Sequence, residues 1–387
     1  VQNIKGIIKN LGVQCLEQEI REYALEIGFD DVGFTTADPF PQLTEALEER
    51  KEGYSWISNG LLQLAHVADP KFVLPAARSI VVLIYDYYKQ GYPQEFEGRI
   101  GKSYQSRLYY GKNRLFGNRL RLFRDYLESK GMEVGVRPAM AERQAAARAG
   151  LGYFGCNTFI YSPGRGSYIG IVAMAVSGEL EPTTAKIERT CLDDCSRCVD
   201  ACPTGALYAP YKMDPFRCIA FNSYGAGNFP GAPEDILPEI RPKMKGWIYG
   251  CDHCQDACPH NQARLKQKLV PDAFLHEIVP KFDLPILLNM DDRYFFETVQ
   301  QLMYGYIWEK KFIQRNAAIA LGNSGDEAAI GPLSKALQDQ QELVRRYSAW
   351  ALGRIGGKKG KAALEKTLAG ERESAVADEI KAALENC

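Results

Sequence analysis

The chain has 387 residues, 46% hydrophobic and 25% charged, with 47 Lys and Arg against 48 Asp and Glu and a formal net charge of −1. That length accommodates two or three domains, and the even charge balance carries no global nucleic-acid signature. The longest apolar runs fall far short of a membrane span and the N-terminus shows no charged-plus-apolar leader, so no membrane partner is expected.

In chain order, Leu16, Ile20, Tyr23, Ala24 and Ile27 share one helical stripe that Gly28 can end. Asp31 to Thr35 reads as a short strand, and the β-branched run Ser79 to Tyr85 as a buried one. A second amphipathic helix spans Leu115 to Lys130, with Leu115, Leu122, Phe123, Tyr126 and Leu127 expected inward and Gly131 as its stop. A helix over Glu142 to Ala149, the glycine-rich run Gly150 to Gly155 and a strand over Tyr168 to Val176 follow. Helices interleaved with buried strands imply a layered α/β domain. The glycines do not match the dinucleotide pattern, because the element before them is a helix. Tyrosine is abundant, at 21 residues, and its aromatic rings are expected mainly in the core.

Two cysteine runs come next: Cys191, Cys195, Cys198 and Cys202-Pro203, then Cys251, Cys254 and Cys258-Pro259. Each resembles half of a bacterial two-cluster ferredoxin, in which the cysteine before proline crosses to the other cluster. On that pattern Cys191, Cys195, Cys198 and Cys258 complete one 4Fe–4S cluster. Cys202, Cys251 and Cys254 leave the second one short, and Cys218 is available to complete it. Cys191 lies one residue further out than the usual spacing. The CxxxCP endings favour iron–sulfur ligation over structural zinc, and clustered cysteines without a leader fit the reducing cytoplasm better than disulfides. Cys15, Cys156 and Cys387 remain; Cys156 is expected as a small buried residue.

The C-terminal segment repeats. Ile313 to Gly322 recurs about 31 residues later as Val344 to Gly353, and a degenerate third copy begins at Ala375. Paired helices at a fixed period make a HEAT-like solenoid. Arg345, Arg346, Arg354, Lys358, Lys359 and Lys361 crowd one helix and its following loop, an arrangement that could hold a phosphate backbone or simply be a solvated face. The expected organisation is an α/β domain (1–185), a ferredoxin-like α+β two-cluster domain (186–265), a helical connector (266–308) and all-α HEAT-like repeats (309–387).

This order of parts resembles the epoxyqueuosine reductase family, cobalamin-dependent enzymes of queuosine-tRNA maturation, with a corrinoid-plus-ferredoxin core shared by reductive dehalogenases. The motifs that carry the resemblance are Cys198 to Leu207, Arg217-Cys218-Ile219, Tyr249 to Gln255 and Ile313-Gln314-Arg315-Asn316. Weaker matches are Gly33-Phe34-Thr35, Leu74 to Ile80 and Ala149 to Gly152. The resemblance implies a cobalamin in the N-terminal domain, with Asn157, Thr158, Ser167, Phe221 and Asp252 among its contacts. Electrons would pass through the two clusters to generate Co(I). It also implies a ferredoxin or flavodoxin as electron donor, tRNA as a partner of the HEAT-like repeats, and a monomer.

Three departures bear on chemistry. The family's proton-donating aspartate, placed ahead of an acidic–arginine pair that here is Glu142-Arg143, falls on Val136. A lysine expected after the glycine-rich run is Cys156, and an arginine expected before Asp69-Pro70 is replaced within His66-Val67-Ala68. If an acid is still needed, Tyr109 or Tyr110 could supply it, and Arg137 could stabilise developing negative charge. The expected activity is therefore a corrinoid and iron–sulfur reductase acting on a changed, small-molecule substrate. Its alternatives are epoxyqueuosine-tRNA reduction with another proton donor and a non-catalytic electron-transfer protein that activates a corrinoid partner.

Overall fold

The computed structural model describes residues 15–57, 64–107, 115–136, 140–184, 191–229, 231–303 and 307–387. They form two compact units, one of residues 1–87 and 112–195, the other of 88–111 and 196–387. Compactness cuts the chain differently from motif content: the segment 88–111 packs with the cysteine and repeat regions rather than with the sequence around it.

The first unit is a sheet covered on both faces. Helix α1 (Leu16–Glu26), strand β1 (Asp31–Thr36), strand β2 (Ser79–Asp86), helix α2 (Leu115–Ser129), strand β3 (Val134–Gly135), helix α3 (Glu142–Arg148) and strand β4 (Ile169–Val176) are its main elements. The strand order is β1-β2-β4-β3 and every pairing is antiparallel, with Phe34 opposite Val81 and Val82 opposite Ala173. Strand β2 is buried on both faces, which its unbroken apolar run requires. Val81 and Leu83 pack with Ile20, Ala24, Phe123 and Leu127 of α1 and α2. Ile80, Val82 and Ile84 pack with Ala145, Ala146 and Ala149 around α3. The layered reading holds, though the strands are antiparallel throughout.

One expectation needs correction. Leu115 and Leu122 are not inward; they are 64% and 51% exposed. The buried seam of α2 is Phe123 and Leu127, flanked by Phe116, Leu120 and Tyr126. Leu115 and Leu122 stand on the adjacent stripe, and helical periodicity alone does not say which of two neighbouring apolar stripes meets the sheet.

The second unit shares one apolar core from Phe96 and Ile100 through Trp247, Leu275 and Leu287 to the C-terminal helices. Its repeat helices are α4 (Lys310–Ser324), α5 (Ile330–Ala336), α6 (Glu342–Ile355), α7 (Gly357–Leu368) and α8 (Ser374–Glu385). Helix α6 packs between α4 and α8. The glycines of the repeat explain themselves here: a Cβ on Gly322 would lie 2.8 Å from Ala351, and one on Gly353 2.7 Å from Ala383. Only a glycine lets successive helices approach this closely.

Within the basic cluster on the solenoid, Arg345 is paired with Glu371 at 2.9 Å and Arg346 with Asp235 at 2.9 Å. Arg354, Lys358, Lys359 and Lys361 face solvent. Among the described residues no helix is long and apolar enough to cross a membrane.

Candidate iron–sulfur centre and active site

Four cysteines converge in the second unit. Cys202 follows the short helix Arg197–Asp200, Cys218 opens the helix Ile219–Tyr224, and Cys251 and Cys254 flank the start of His253–Asp256. Each of Cys218, Cys251 and Cys254 feels the charge of Cys202, and Cys254 also that of the other two. Burial pushes the thiols of Cys218, Cys251 and Cys254 up, and this mutual repulsion adds to it. At Cys202 burial acts the same way but is outweighed by N–H groups of Leu207, Thr204 and Ala206 and by the Thr204 hydroxyl, so its pKa falls. Backbone N–H groups of Phe221 and Ala220 also point at Cys218, and that of His253 at Cys251.

Burial and mutual repulsion keep Cys218, Cys251 and Cys254 protonated in the absence of metal, and a metal centre that displaces those protons neutralises the clustered thiolates. N–H groups aimed at the sulfurs are what a 4Fe–4S cluster uses to spread its charge. The donor set therefore fits the cluster assigned to Cys202, Cys218, Cys251 and Cys254. No three His, Cys, Asp or Glu side chains among the described residues lie close enough to share one ion.

The four ligands expected for the other cluster divide between the units, with Cys191 and Cys195 in the first and Cys198 and Cys258 in the second. The Sγ of Cys191 accepts the backbone N–H of Cys156 at 3.2 Å. Cys156 is buried, as expected, and its backbone N–H is the group that meets Cys191.

The solenoid reaches into the second centre through the motif Gln314-Arg315-Asn316. Arg315 is fully buried. Its guanidinium donates to the carbonyls of Asn222 at 2.7 Å, Glu234 at 2.7 Å and Ala226 at 3.3 Å. Burial lowers its pKa to about 10 against the opposing pull of Tyr347, Glu234 and Asp235, leaving it charged. Asn316 Nδ2 donates to Ser223 O at 2.6 Å and Ile248 O at 2.8 Å, and the Gly250 N–H donates to Ser223 Oγ at 2.7 Å. These bonds tie the helix after Cys218 to the turn before Cys251. Sequence marked the motif without its role, because its partners lie far away along the chain.

Asp252, expected at the corrinoid, is 3% exposed, and its Oδ2 accepts from Lys102 N at 2.8 Å and Lys102 Nζ at 3.4 Å. Lys102 was not singled out by sequence. Burial disfavours its ammonium, yet Asp252 and Asp256 more than offset this and its pKa rises. Burial also pushes Asp252 up to about 6 against the pull of Lys102, so the pair is ionised at neutral pH. Phe221 is buried and packs edge-on to Phe216.

In the first unit Asn157 and Ser167 are each 2% exposed. Asn157 Nδ2 donates to Tyr161 Oη at 2.9 Å, and Thr158 adopts φ 70°. Arg143 Nη1 donates to Thr158 O at 2.9 Å. Glu142, beside it, is a further residue that sequence reasoning treated only as a landmark. Burial pushes its carboxyl up to about 7, opposed only in part by the Ala173 N–H and by Arg143. Val136, where the family's aspartate belongs, is 46% exposed. Arg137, Tyr109 and Tyr110 lie outside the described residues.

A sheet domain, a double ferredoxin-type centre and a repeat solenoid that buttresses it define an iron–sulfur oxidoreductase. Residues 190–261 match the family described as a 4Fe-4S double cluster binding domain, and 309–385 match HEAT repeats. Epoxyqueuosine reductase of Staphylococcus aureus is 33% identical over 367 residues, 91% of this chain and 92% of that protein. The Bacillus subtilis enzyme is 32% identical over 396 residues, 97% of each chain. A crystal structure of epoxyqueuosine reductase with an epoxyqueuosine-modified tRNA-Tyr stem loop superposes with a TM-score of 0.79 at 30% identity, covering 96% of this chain and 98% of that one. The chain belongs to the epoxyqueuosine reductase family.

Proposed function

We propose that this enzyme reduces the epoxide of epoxyqueuosine in tRNA, in the cytoplasm, with a proton donor other than the residue at position 136. The observation that carries this reading is the end-to-end similarity to an epoxyqueuosine reductase crystallised with its modified tRNA stem loop.

In this reading Cys191, Cys195, Cys198 and Cys258 hold one 4Fe–4S cluster, and Cys202, Cys218, Cys251 and Cys254 the other. A low-potential ferredoxin or flavodoxin supplies their electrons. Asn157, Thr158, Ser167, Phe221 and Asp252 would hold a cobalamin. The polar members among them suit its amide-fringed ring, and none offers an imidazole or thiolate to its metal. When bound, that cofactor supplies a strong two-electron reductant. The protein's own residues orient the wobble base, exclude water and deliver protons as carbon–oxygen bonds are lost. Val136 cannot donate a proton. Glu142 holds one near neutral pH, the condition for a general acid, and Tyr109, Tyr110 and Arg137 are the other candidates for proton delivery and charge stabilisation. The exposed Arg354, Lys358, Lys359 and Lys361 suit phosphate contacts.

A second reading, reduction of a different small molecule, is favoured by the departures at Val136, at Cys156 and within His66-Val67-Ala68. The test is anaerobic incubation of the protein, reconstituted with iron, sulfide and cobalamin, with an epoxyqueuosine-bearing anticodon stem loop, followed by mass spectrometry of the nucleosides. Conversion to queuosine supports the proposal. Retained cobalamin without conversion moves the case to the small-molecule reading, and full iron without retained cobalamin to an electron-transfer protein.

A further inference from the structure

Lys102 reaches the second cluster site from far upstream. The Gly101 N–H donates to Tyr249 O at 2.8 Å, and Ile100 forms a parallel bridge with Tyr249. The fit is close: a Cβ on Gly101 would lie 3.3 Å from Asp252 Oδ1 and 3.4 Å from Cys251 N. Lys102 then donates its backbone N–H to Asp252 Oδ2, and its Nζ lies 2.9 Å from both oxygens of Asp256 and 3.4 Å from Asp252 Oδ2. The side chains of Lys102 and Asp252 are 17% and 4% exposed. Asp252 directly follows Cys251, and Asp256 lies between Cys254 and Cys258. One ammonium and two carboxylates thus line the turn that carries three cluster ligands. Lys102 and Asp252 are shielded from water and act at longer range than surface charges, whereas the Asp256 side chain is 38% exposed.

Reducing a 4Fe–4S cluster adds one electron and breaks no bond. A nearby cation stabilises the reduced form and raises the potential, whereas a nearby anion lowers it. We propose that Lys102 is a positioning residue that sets the reduction potential of the second cluster, holding it up against Asp252 and Asp256. The excess of one negative charge in this triad keeps the cluster strongly reducing. The ammonium keeps it within reach of an electron from a low-potential iron–sulfur or flavin protein. This inference rests on the assignment of that cluster to Cys202, Cys218, Cys251 and Cys254.

The test is a redox titration followed by electron paramagnetic resonance, on full-length protein with both clusters reconstituted and iron counted. The signal lost in Cys218→Ser identifies the second cluster. Lys102→Met should shift its midpoint down, Asp256→Asn should shift it up, and Lys102→Arg should restore the wild-type value. A latch with no electrostatic role would not give shifts of opposite sign. With full iron, unmoved midpoints or shifts of one sign overturn the proposal. If Lys102→Met loses the cluster, Asp256→Asn decides: a raised midpoint supports the proposal and an unchanged one overturns it. Wild-type protein that takes up no iron at Cys218 refutes the cluster assignment itself, and the proposal with it.

Discussion

In the second unit the buried polar side chains are committed to distant partners. Arg315 and Asn316 hold carbonyls on both sides of the second cluster site, and Lys102 bridges to Asp252 and Asp256. In the first unit the departures from the family pattern sit in unlike surroundings, Ala68 buried among them. Val136 is nearly half exposed at the end of strand β3, and Cys156 contributes its backbone N–H rather than its thiol to Cys191. The contrast lies in what a replacement costs. Replacing a residue whose hydrogen bonds span the unit leaves several carbonyls unpaired at once. Replacing an exposed loop residue costs the fold almost nothing. The segments around Cys218 and Cys251 are held by long-range bonds, while Val136 is exposed.

The largest effect should come from breaking the buttress. Arg315→Ala strips two buried carbonyls and one part-buried carbonyl of their donor and should cost about 3 kcal/mol or more. Denaturant unfolding measures that loss, and iron bound at the Cys218 site should fall with it; an unchanged midpoint would show that the solenoid does not support the cluster. Cys218→Ser should halve the iron, from about eight to about four per chain, whereas Cys156→Ser should leave it intact.

In the first unit, Glu142→Gln should lower turnover of the modified stem loop by about 100-fold or more and remove the limb of the pH–rate profile near 7, with cobalamin retention unchanged. Val136→Asp in the same chain should restore part of that loss. A Glu142→Gln enzyme with its pH profile intact would return the proton to Tyr109 or Tyr110.

Glu142 also carries a stability signature. Its folded pKa of about 7 lies above the 4.5 of a free glutamate, so its contribution is complete below pH 4.5 and fades as pH rises through 7. Melting temperature should fall across that window, and less steeply in Glu142→Gln. The smallest effect tests the corrected seam of helix α2: Leu122→Ala should stay within about 0.5 kcal/mol, whereas Phe123→Ala should cost about 3–5 kcal/mol.

The chain's local chemistry was legible without a structure. Cysteine spacing is a short-range property, so the ligand runs, the strand Ser79–Asp86 and the repeat helices could be read from neighbours alone. Tertiary structure decided whatever depends on residues far apart. The pairing of Asp252 with Lys102, 150 positions away, is invisible in the sequence around either residue. The motif Gln314-Arg315-Asn316 identified a family but not its own role, because its acceptors outside the motif lie 25 to 93 residues away. Leu115 and Leu122 satisfied helical periodicity and still face water. Sequence fixes which groups exist and their order along the chain. Burial, and with it the proton on Glu142 and the charges around Cys251, depends on which distant segments close over them and shut out water.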